Sequence, residues 1–381
     1  MKFLFASDSF KGSLSSLQTV ELLAKAAKAV FGDEMEYSGV PVADGGEGTA
    51  AAVVAAQGGS WMECPVHGPL MEPVLARYGR LDARRAVLEM AAASGLPLVP
   101  TEKRNPLYTT SFGTGELIRH ALDQGFTELA IAIGGSATND GGMGCVRALG
   151  VRFLDEAGVE LEGRGEDLEK VRSVDISGLD PRVKNTRITV MCDVTNPLCG
   201  PKGATRTFGP QKGATPEILA RLEAGMVNYR DLIRRQLHAD PDAIPGAGAA
   251  GGLGAALTVF LGGELRSGID TVLDLIDFDR RLEGTDLVIT GEGCTDWQSC
   301  FGKVMQGVGC RARAKGVAAV GLSGSLGRGA DGIFEYGIQS VMTAVDAPMP
   351  LEEALDRAEE LYYRGAVRMF RFLQAGMHLA K

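Results

Sequence analysis

The chain has 381 residues, 45% hydrophobic and 23% charged, with a net charge of −9. That length is too great for one typical core and suits two domains. The acidic balance and the lack of any Lys/Arg-rich run exclude a nucleic-acid-binding footprint.

The first segment, "MKFLFASDS", carries an apolar run of about five residues, short of the ~7–15 of a secretory signal, and reads as a buried strand. Nowhere does an apolar stretch approach the ~18 residues of a membrane span. Residues 16–31 set Leu17, Val20, Leu23, Ala27 and Val30 on one helical stripe, with Ser15 and Gln18 spaced as a capping box. "SGVPVADGGEGT" is a second strand running into a loop. Turn signals at Gly68-Pro69 and Leu81-Asp82 divide residues 60–100 into antiparallel strands. "TGELIRHALDQG" is a helix with Thr114 as N-cap and Gly125 as its C′ residue. "LAIAIGGSATNDGG" is a strand and Gly-rich loop leading into a helix at "GCVRALG". Residues 151–162 form a hairpin around Glu156, Ala157 and Gly158. "ITVMCDVTNPLCG", "DLVITGEGCTD" and "VAAVGLSGS" repeat the strand-and-loop theme. Residues 351–375 are a long amphipathic helix after Pro350, closed by Gly376.

Continuous apolar strands imply a parallel sheet, and loops at the carboxyl ends of such strands are where open α/β sheets bind ligands. The expected fold is α/β in two domains. One is a doubly wound Rossmann-like parallel-sheet domain, residues 1–58 and 285–381. The other is a mixed α/β domain, residues 59–284.

The loops carry the candidate chemistry. Neither a Walker A loop nor a strand–GxGxxG–helix occurs. Seven cysteines without a CxxC pair and four histidines give no zinc spacing, and reduced thiols fit a cytoplasmic location. The loop at Gly134, Gly135, Ser136, Thr138 and Asn139 has glycines that admit a ligand to the backbone, neutral donors, and a following helix whose N-terminus favours an anion. Its alternative reading is a structural turn capped by Asp140. "DSFKGS" offers Asp8, Ser9, Lys11 and Ser13; "VADGGEGT" offers Asp44 and Glu47. "CDVTNPL" offers Asp193, Thr195 and Asn196, and "TGEGCTD" offers Glu292 and Asp296. These four acidic loops are expected along one edge of one sheet. Carboxylates gathered near phosphate need Mg²⁺ to coexist with it. No His lies in a catalytic-looking loop and no nucleophile elbow is complete, so the inventory suits phosphoryl transfer, which depends on positioning and charge neutralisation.

"DSFKGSLSS", "VADGGEGT", "NPLYTTSFGTGELI", "IGGSATNDGGMG", "DVTNPLCGPKGA", "FGPQKGA", "GAGAAGGLG" and "DLVITGEG" together resemble the class I glycerate kinases of bacteria, in the family's order from residue 7 to about 309. The resemblance implies ATP- and Mg²⁺-dependent phosphorylation of D-glycerate, usually to 2-phosphoglycerate, in a cleft between two α/β domains. On the loops above, Lys11 and the 134–140 loop are expected to hold ATP phosphates or the glycerate carboxylate. Asp193 is the first choice for base or Mg²⁺ ligand, followed by Asp44 and Asp8. Glu292 and Asp296 complete the acidic ring, and Ser9 and Asn196 hydrogen-bond the substrate. Two departures stand out. Cys294 follows "GEG" where the family usually carries Arg, and Met305-Gln306 stands where a Pro is common. A thiol cannot make the bidentate clamp of a guanidinium. Three other readings therefore remain open: a kinase for another small hydroxy acid, phosphorylation giving 3-phosphoglycerate, or a non-catalytic metabolite sensor. The chain is expected to act as a monomer or homodimer with small-molecule partners, and neither nucleic acid nor membrane.

Overall fold

The computed structural model describes residues 1–32 and 35–379. Its chain divides into two compact units. Unit 1 comprises Met1–Asp44, Ala51–Gly58 and Gly268–Lys381; unit 2 comprises Gly45–Ala50 and Gly59–Ser267. Residues 268–284, expected with the second domain, group with unit 1. Gln57 donates to the Leu275 carbonyl at 2.6 Å, and Arg281 to the Ala56 carbonyl at 2.8 Å.

Unit 1 is built on a five-stranded sheet, in the order Ile338–Thr343, Ala318–Ser323, Leu287–Thr290, Lys2–Phe5, Glu36–Gly39. Every pairing is parallel. Phe3 and Phe5 point to one face, where the helices Ser16–Phe31 and Ala358–Leu379 supply Leu23, Ala26, Tyr362 and Phe370. Phe3 and Phe370 stack with ring centroids 5.8 Å apart. On the other face, helix Val304–Ala314 brings Met305 against Gly321. Helices thus cover both faces, as the doubly wound reading requires.

Unit 2 holds a six-stranded sheet, in the order Glu264–Arg266, Arg187–Met191, Glu128–Ala132, Arg85–Glu89, Pro73–Arg80, Ser60–His67. Its first three pairings are parallel and its last two antiparallel, making it mixed. The antiparallel strands are those expected from the turn signals in residues 60–100.

Several local expectations are corrected. The acidic loops do not share one sheet. Those at Asp8, Asp44 and Glu292 follow strands of unit 1, while Asp193 follows Arg187–Met191 in unit 2. Both sheets produce the same apolar-strand-then-loop signature, so pattern alone merges them. The helix expected from Thr114 begins at Phe112, with Ser111 before it, because the Ser111 hydroxyl is turned to Asp140. Thr114 lies inside, donating to Ser94 Oγ at 2.8 Å. The hairpin expected in residues 151–162 is present, with the Leu161 amide donating to the Phe153 carbonyl at 2.8 Å and the Asp155 amide to the Val159 carbonyl at 3.0 Å, and Arg152–Leu154 pairs in addition with Ser173–Asp175. The C-terminal segment is two helices, Leu351–Asp356 and Ala358–Leu379, and the second runs through Gly376.

Candidate functional site

In unit 1 three neighbouring parallel strands end together. Lys2–Phe5 leads to Asp8, Glu36–Gly39 to Asp44 and Leu287–Thr290 to Glu292. The Asp8 amide donates to the Gly291 carbonyl at 2.9 Å, which ties the first loop to the third. A Cβ at Gly291 would strike the Leu322 carbonyl, so this close approach needs glycine. Asp8 Oδ1 accepts from the Ser9 amide at 2.6 Å and from its hydroxyl at 3.4 Å. Burial, then the charge of Asp44 and more weakly that of Glu292, pushes the Asp8 carboxyl up to about 7. Burial also raises Glu292, against hydrogen bonds from Ser299 and Thr295 and the nearby Lys303 ammonium. The Thr295 hydroxyl reaches Glu292 Oε1 at 3.1 Å and Ser323 Oγ at 2.7 Å. Asp296 takes a local role: its Oδ1 accepts the Gln298 amide at 2.8 Å and caps the turn Trp297–Cys300. Lys11 is exposed on the Phe10–Leu14 turn.

The Gly-rich loop of unit 2 is split in exposure. Gly134 and Gly135 are exposed, whereas Ser136, Thr138, Asn139 and Asp140 are buried. Gly135 has φ +74°, which favours glycine. A Cβ at Gly134 would lie 3.6 Å from Gly46 Cα, so the Gly45–Gly46 backbone stands beside it. Asp140 is fully buried and accepts from the Ser111 amide and hydroxyl, both at 2.7 Å, and from the amides of Gly142 and Gly144 at 3.1 and 3.3 Å. Those last two bonds occupy amides at the start of helix Met143–Ala148. That helix end is thus engaged by Asp140, while Gly134 and Gly135 are open to solvent.

Beneath the loop lies Lys212, which sequence reasoning passed over. Its side chain is buried, and Nζ donates to Ser136 Oγ and to the Thr138 carbonyl, each at 2.7 Å. Burial lowers its pKa to about 7, opposed by the charge of Asp140. The signal was present in "FGPQKGA", a motif that carries the resemblance and whose lysine was given no role. Asn139 Nδ2 donates to Thr205 Oγ1 at 3.0 Å, while Asn139 Oδ1 and Thr138 Oγ1 are buried without a partner. A second residue passed over is Glu89, at the end of strand Arg85–Glu89. Its Oε1 accepts the Ala50 amide at 2.7 Å, and burial together with Glu47 holds its carboxyl above the usual range. Asp193 is exposed beyond the strand Arg187–Met191. Asn196 holds its own loop, with Nδ2 donating to the Lys202 carbonyl at 2.7 Å and Thr207 Oγ1 at 3.4 Å.

The structure thus brings together Asp8, Asp44 and Glu292, with Ser9, Lys11 and Asp296 on the same loops of unit 1. It places Gly134, Gly135, Ser136, Thr138 and Asn139 on one loop of unit 2, and Asp193 and Asn196 on another loop of that unit. Among the described residues, no group of three or more His, Cys, Asp or Glu is arranged to enclose a metal ion. No helix among them is long and apolar enough to cross a membrane.

Residues 3–374 match the glycerate kinase family. The chain is 47% identical to a glycerate kinase of Bacillus subtilis (strain 168) over 382 aligned positions, covering 100% of this chain and 99% of that protein. It is 46% identical to a glycerate 2-kinase of Escherichia coli (strain K12), with all of both chains covered. A crystal structure from Salmonella typhimurium LT2, assigned to glycerate kinase 2, superposes with a TM-score of 0.90 at 46% identity over 99% of each chain. Similarity over the full length leads to one conclusion: the chain belongs to the glycerate kinase family, and is an enzyme of that family.

Proposed function

We propose that this enzyme transfers the γ-phosphoryl group of ATP to D-glycerate, giving 2-phosphoglycerate and ADP. The observation that carries this reading is the meeting of Asp8, Asp44 and Glu292 at three adjacent parallel strand ends, where the charges of Asp44 and Glu292 both oppose ionisation of Asp8. The full-length similarity to a protein named glycerate 2-kinase supports the 2-position.

The carboxylates fit Mg²⁺. That ion usually takes one or two carboxylates and completes its octahedron with phosphate oxygens and water, so a complete protein cage is not required. The mutual repulsion at Asp8 is the kind a divalent cation relieves. Asp44 and Asp8 would hold the ion. When bound, it neutralises charge on the transferring phosphoryl group. The chain's own groups do the rest. Lys11 presents an ammonium to phosphate oxygens. The exposed amides of Gly134 and Gly135 bind an anionic oxygen, their loop held in shape by Lys212 from below. Asp193, open to solvent, accepts the proton of the attacking hydroxyl. Glu292 accepts from the Thr295 hydroxyl, itself bonded to Ser323, and fixes the third loop.

The test is a product assay. Mg-ATP and D-glycerate are expected to give ADP and a phosphorus NMR resonance for the 2-phosphate, abolished by EDTA and restored by Mg²⁺. Resonance at the 3-phosphate position would overturn the regiochemistry, and no ADP release would overturn the reaction. One observation favours a second acceptor. By the resemblance, the exposed Cys294 stands where the family usually carries Arg, so a bidentate clamp on a carboxylate or a phosphate is missing. A panel of small hydroxy acids assayed in parallel separates the two: a higher kcat/KM for another acid would replace D-glycerate as the substrate.

A further inference from the structure

We propose that a cavity at the carboxyl end of the unit 1 sheet receives the purine base and ribose of the nucleotide, a site that rests on the kinase reading above. From Lys2–Phe5 the chain passes to Glu36–Gly39 on one side. It later returns to Leu287–Thr290 on the other side and builds outward from there. At such a reversal the loops leave in opposite directions and open a crevice outside the strand ends, where α/β sheets take ligands. A cavity of about 460 Å³ lies there, lined by Phe10 and Lys11 from the first loop and by Gly293 and Cys294 from the third. Small-molecule sites run from roughly 300 to 1,000 Å³.

Chemistry selects the occupant. The walls are mainly apolar. Phe10 and Tyr362 meet edge to face with ring centroids 5.0 Å apart, and helix Leu351–Asp356 closes one side. Leu351 and Leu355 of that helix are 74% and 39% exposed, apolar surface that a bound ring would cover. Gly293 and Gly324 contribute backbone alone, and Gly324 lies directly against the Gly293 carbonyl and Phe10, leaving that wall flat. D-glycerate has almost no apolar surface, and its carboxylate and hydroxyls would lose water in these walls without compensation. The base of ATP is planar and largely apolar on its faces. The charge follows the same order. Lys11 stands at the rim and Glu292 immediately precedes Gly293, so phosphate- and metal-binding groups border the cavity. Ser13 and Ser325 are the hydroxyls available to ring edges and ribose.

Cys294 serves as a reporter in the full, unsubstituted chain, with thiol modification mapped by mass spectrometry. ADP, and adenosine alone, are expected to slow Cys294 labelling roughly tenfold, while D-glycerate does not. Cys192 and Cys310, half-buried and outside the cavity, are expected to react at unchanged rates. Labelling of Cys294 unaffected by ADP overturns the site, whatever the turnover assay shows. Protection by ADP and inorganic triphosphate but not adenosine places phosphate there and also overturns it. Protection without any turnover keeps the site and removes the kinase reading instead. A second variant reads the same cavity kinetically. Ala354→Trp fills it from the half-buried side of its helix and is expected to raise KM for ATP roughly tenfold, with KM for D-glycerate unchanged. An unchanged KM for ATP overturns the proposal.

Discussion

Asp8 and Lys212 are both charged groups held where water cannot fully solvate them, and they answer to different partners. Asp8 is half-buried beside Asp44 and Glu292, so its ionised form is opposed by its surroundings until a cation arrives. Groups kept for such a task are commonly costly to the fold. Asp8→Asn is expected to lower kcat/KM by about 10²-fold or more, while the metal-free protein gains about 1 kcal/mol, roughly 2–4 °C in Tm. A variant that loses both rate and melting temperature would show Asp8 to be structural. Lys212 faces the Ser136 hydroxyl, the Thr138 carbonyl and the charge of Asp140. Unfolded, a lysine titrates near its ordinary value of 10.5; folded, this one titrates near 7. Between those values the unfolded chain binds a proton that the folded chain has released, so this group's contribution to stability rises with pH. The slope is at most ~1.4 kcal/mol per pH unit. Below about pH 7 both states hold the proton and the burial cost is complete. Urea unfolding of the wild type and Lys212→Met at pH 7 and pH 9 is expected to show the difference moving in favour of the wild type. A pH-independent difference would contradict the lowered pKa.

Elements show which parts of this architecture a sequence can display. The capping box of Ser15 and Gln18 is a local device, and helix Ser16–Phe31 begins where it says. The acidic strand ends at Asp8, Asp44 and Glu292 were legible for the same reason, since an apolar run breaking at Asp or Glu marks its own boundary. The orientation of Ser136, Thr138 and Asn139 was not legible. It is set by Lys212 and Thr205, which are 76 and 66 residues away from Ser136 and Asn139 in the chain. Ser111 is the same case. Its hydroxyl serves the buried Asp140 instead of capping its own helix, and the helix start was misplaced in consequence. The helix Phe112–Asp123 also packs on Met143–Ala148 through a glycine that no local rule demands. A Cβ at Gly115 would strike the Cys145 carbonyl and stand 2.7 Å from Ala148 Cβ. Replacing a helical glycine ordinarily favours the helix, by roughly 1 kcal/mol for Ala. Here the backbone collision dominates. Gly115→Ala is expected to destabilise by about 1–3 kcal/mol in chemical denaturation, with a lower midpoint and unchanged m-value. A stabilised variant would mean that the two helices separate easily.

At the scale of the molecule, the two units differ in how the chain assembles them. Unit 1 draws its central strands from both ends of the sequence. Lys2–Phe5 needs Leu287–Thr290 on one side and Glu36–Gly39 on the other, and Phe3 packs on Phe370. Unit 2 is almost continuous, drawing only Gly45–Ala50 from outside residues 59–267. Its core includes the fully buried Tyr78, Leu117, Phe153, Tyr229 and Leu253, all within that stretch. Its sheet likewise takes all six strands from there. About 200 residues with their own core is within the usual size of an independent domain. A fragment of residues 59–267 is therefore expected to fold alone, with a cooperative thermal transition and a protease-resistant core. The missing Gly45–Ala50 removes the amide that Glu89 accepts from Ala50, a local loss at one strand end. Residues 1–58 alone are expected to stay unfolded, because two strands and two helices leave Phe3 and Phe5 without the strands and C-terminal helix that bury them. Circular dichroism melts of the two fragments decide the matter. A fragment 59–267 without a cooperative transition would show that its core depends on residues outside that stretch, Gly45–Ala50 among them.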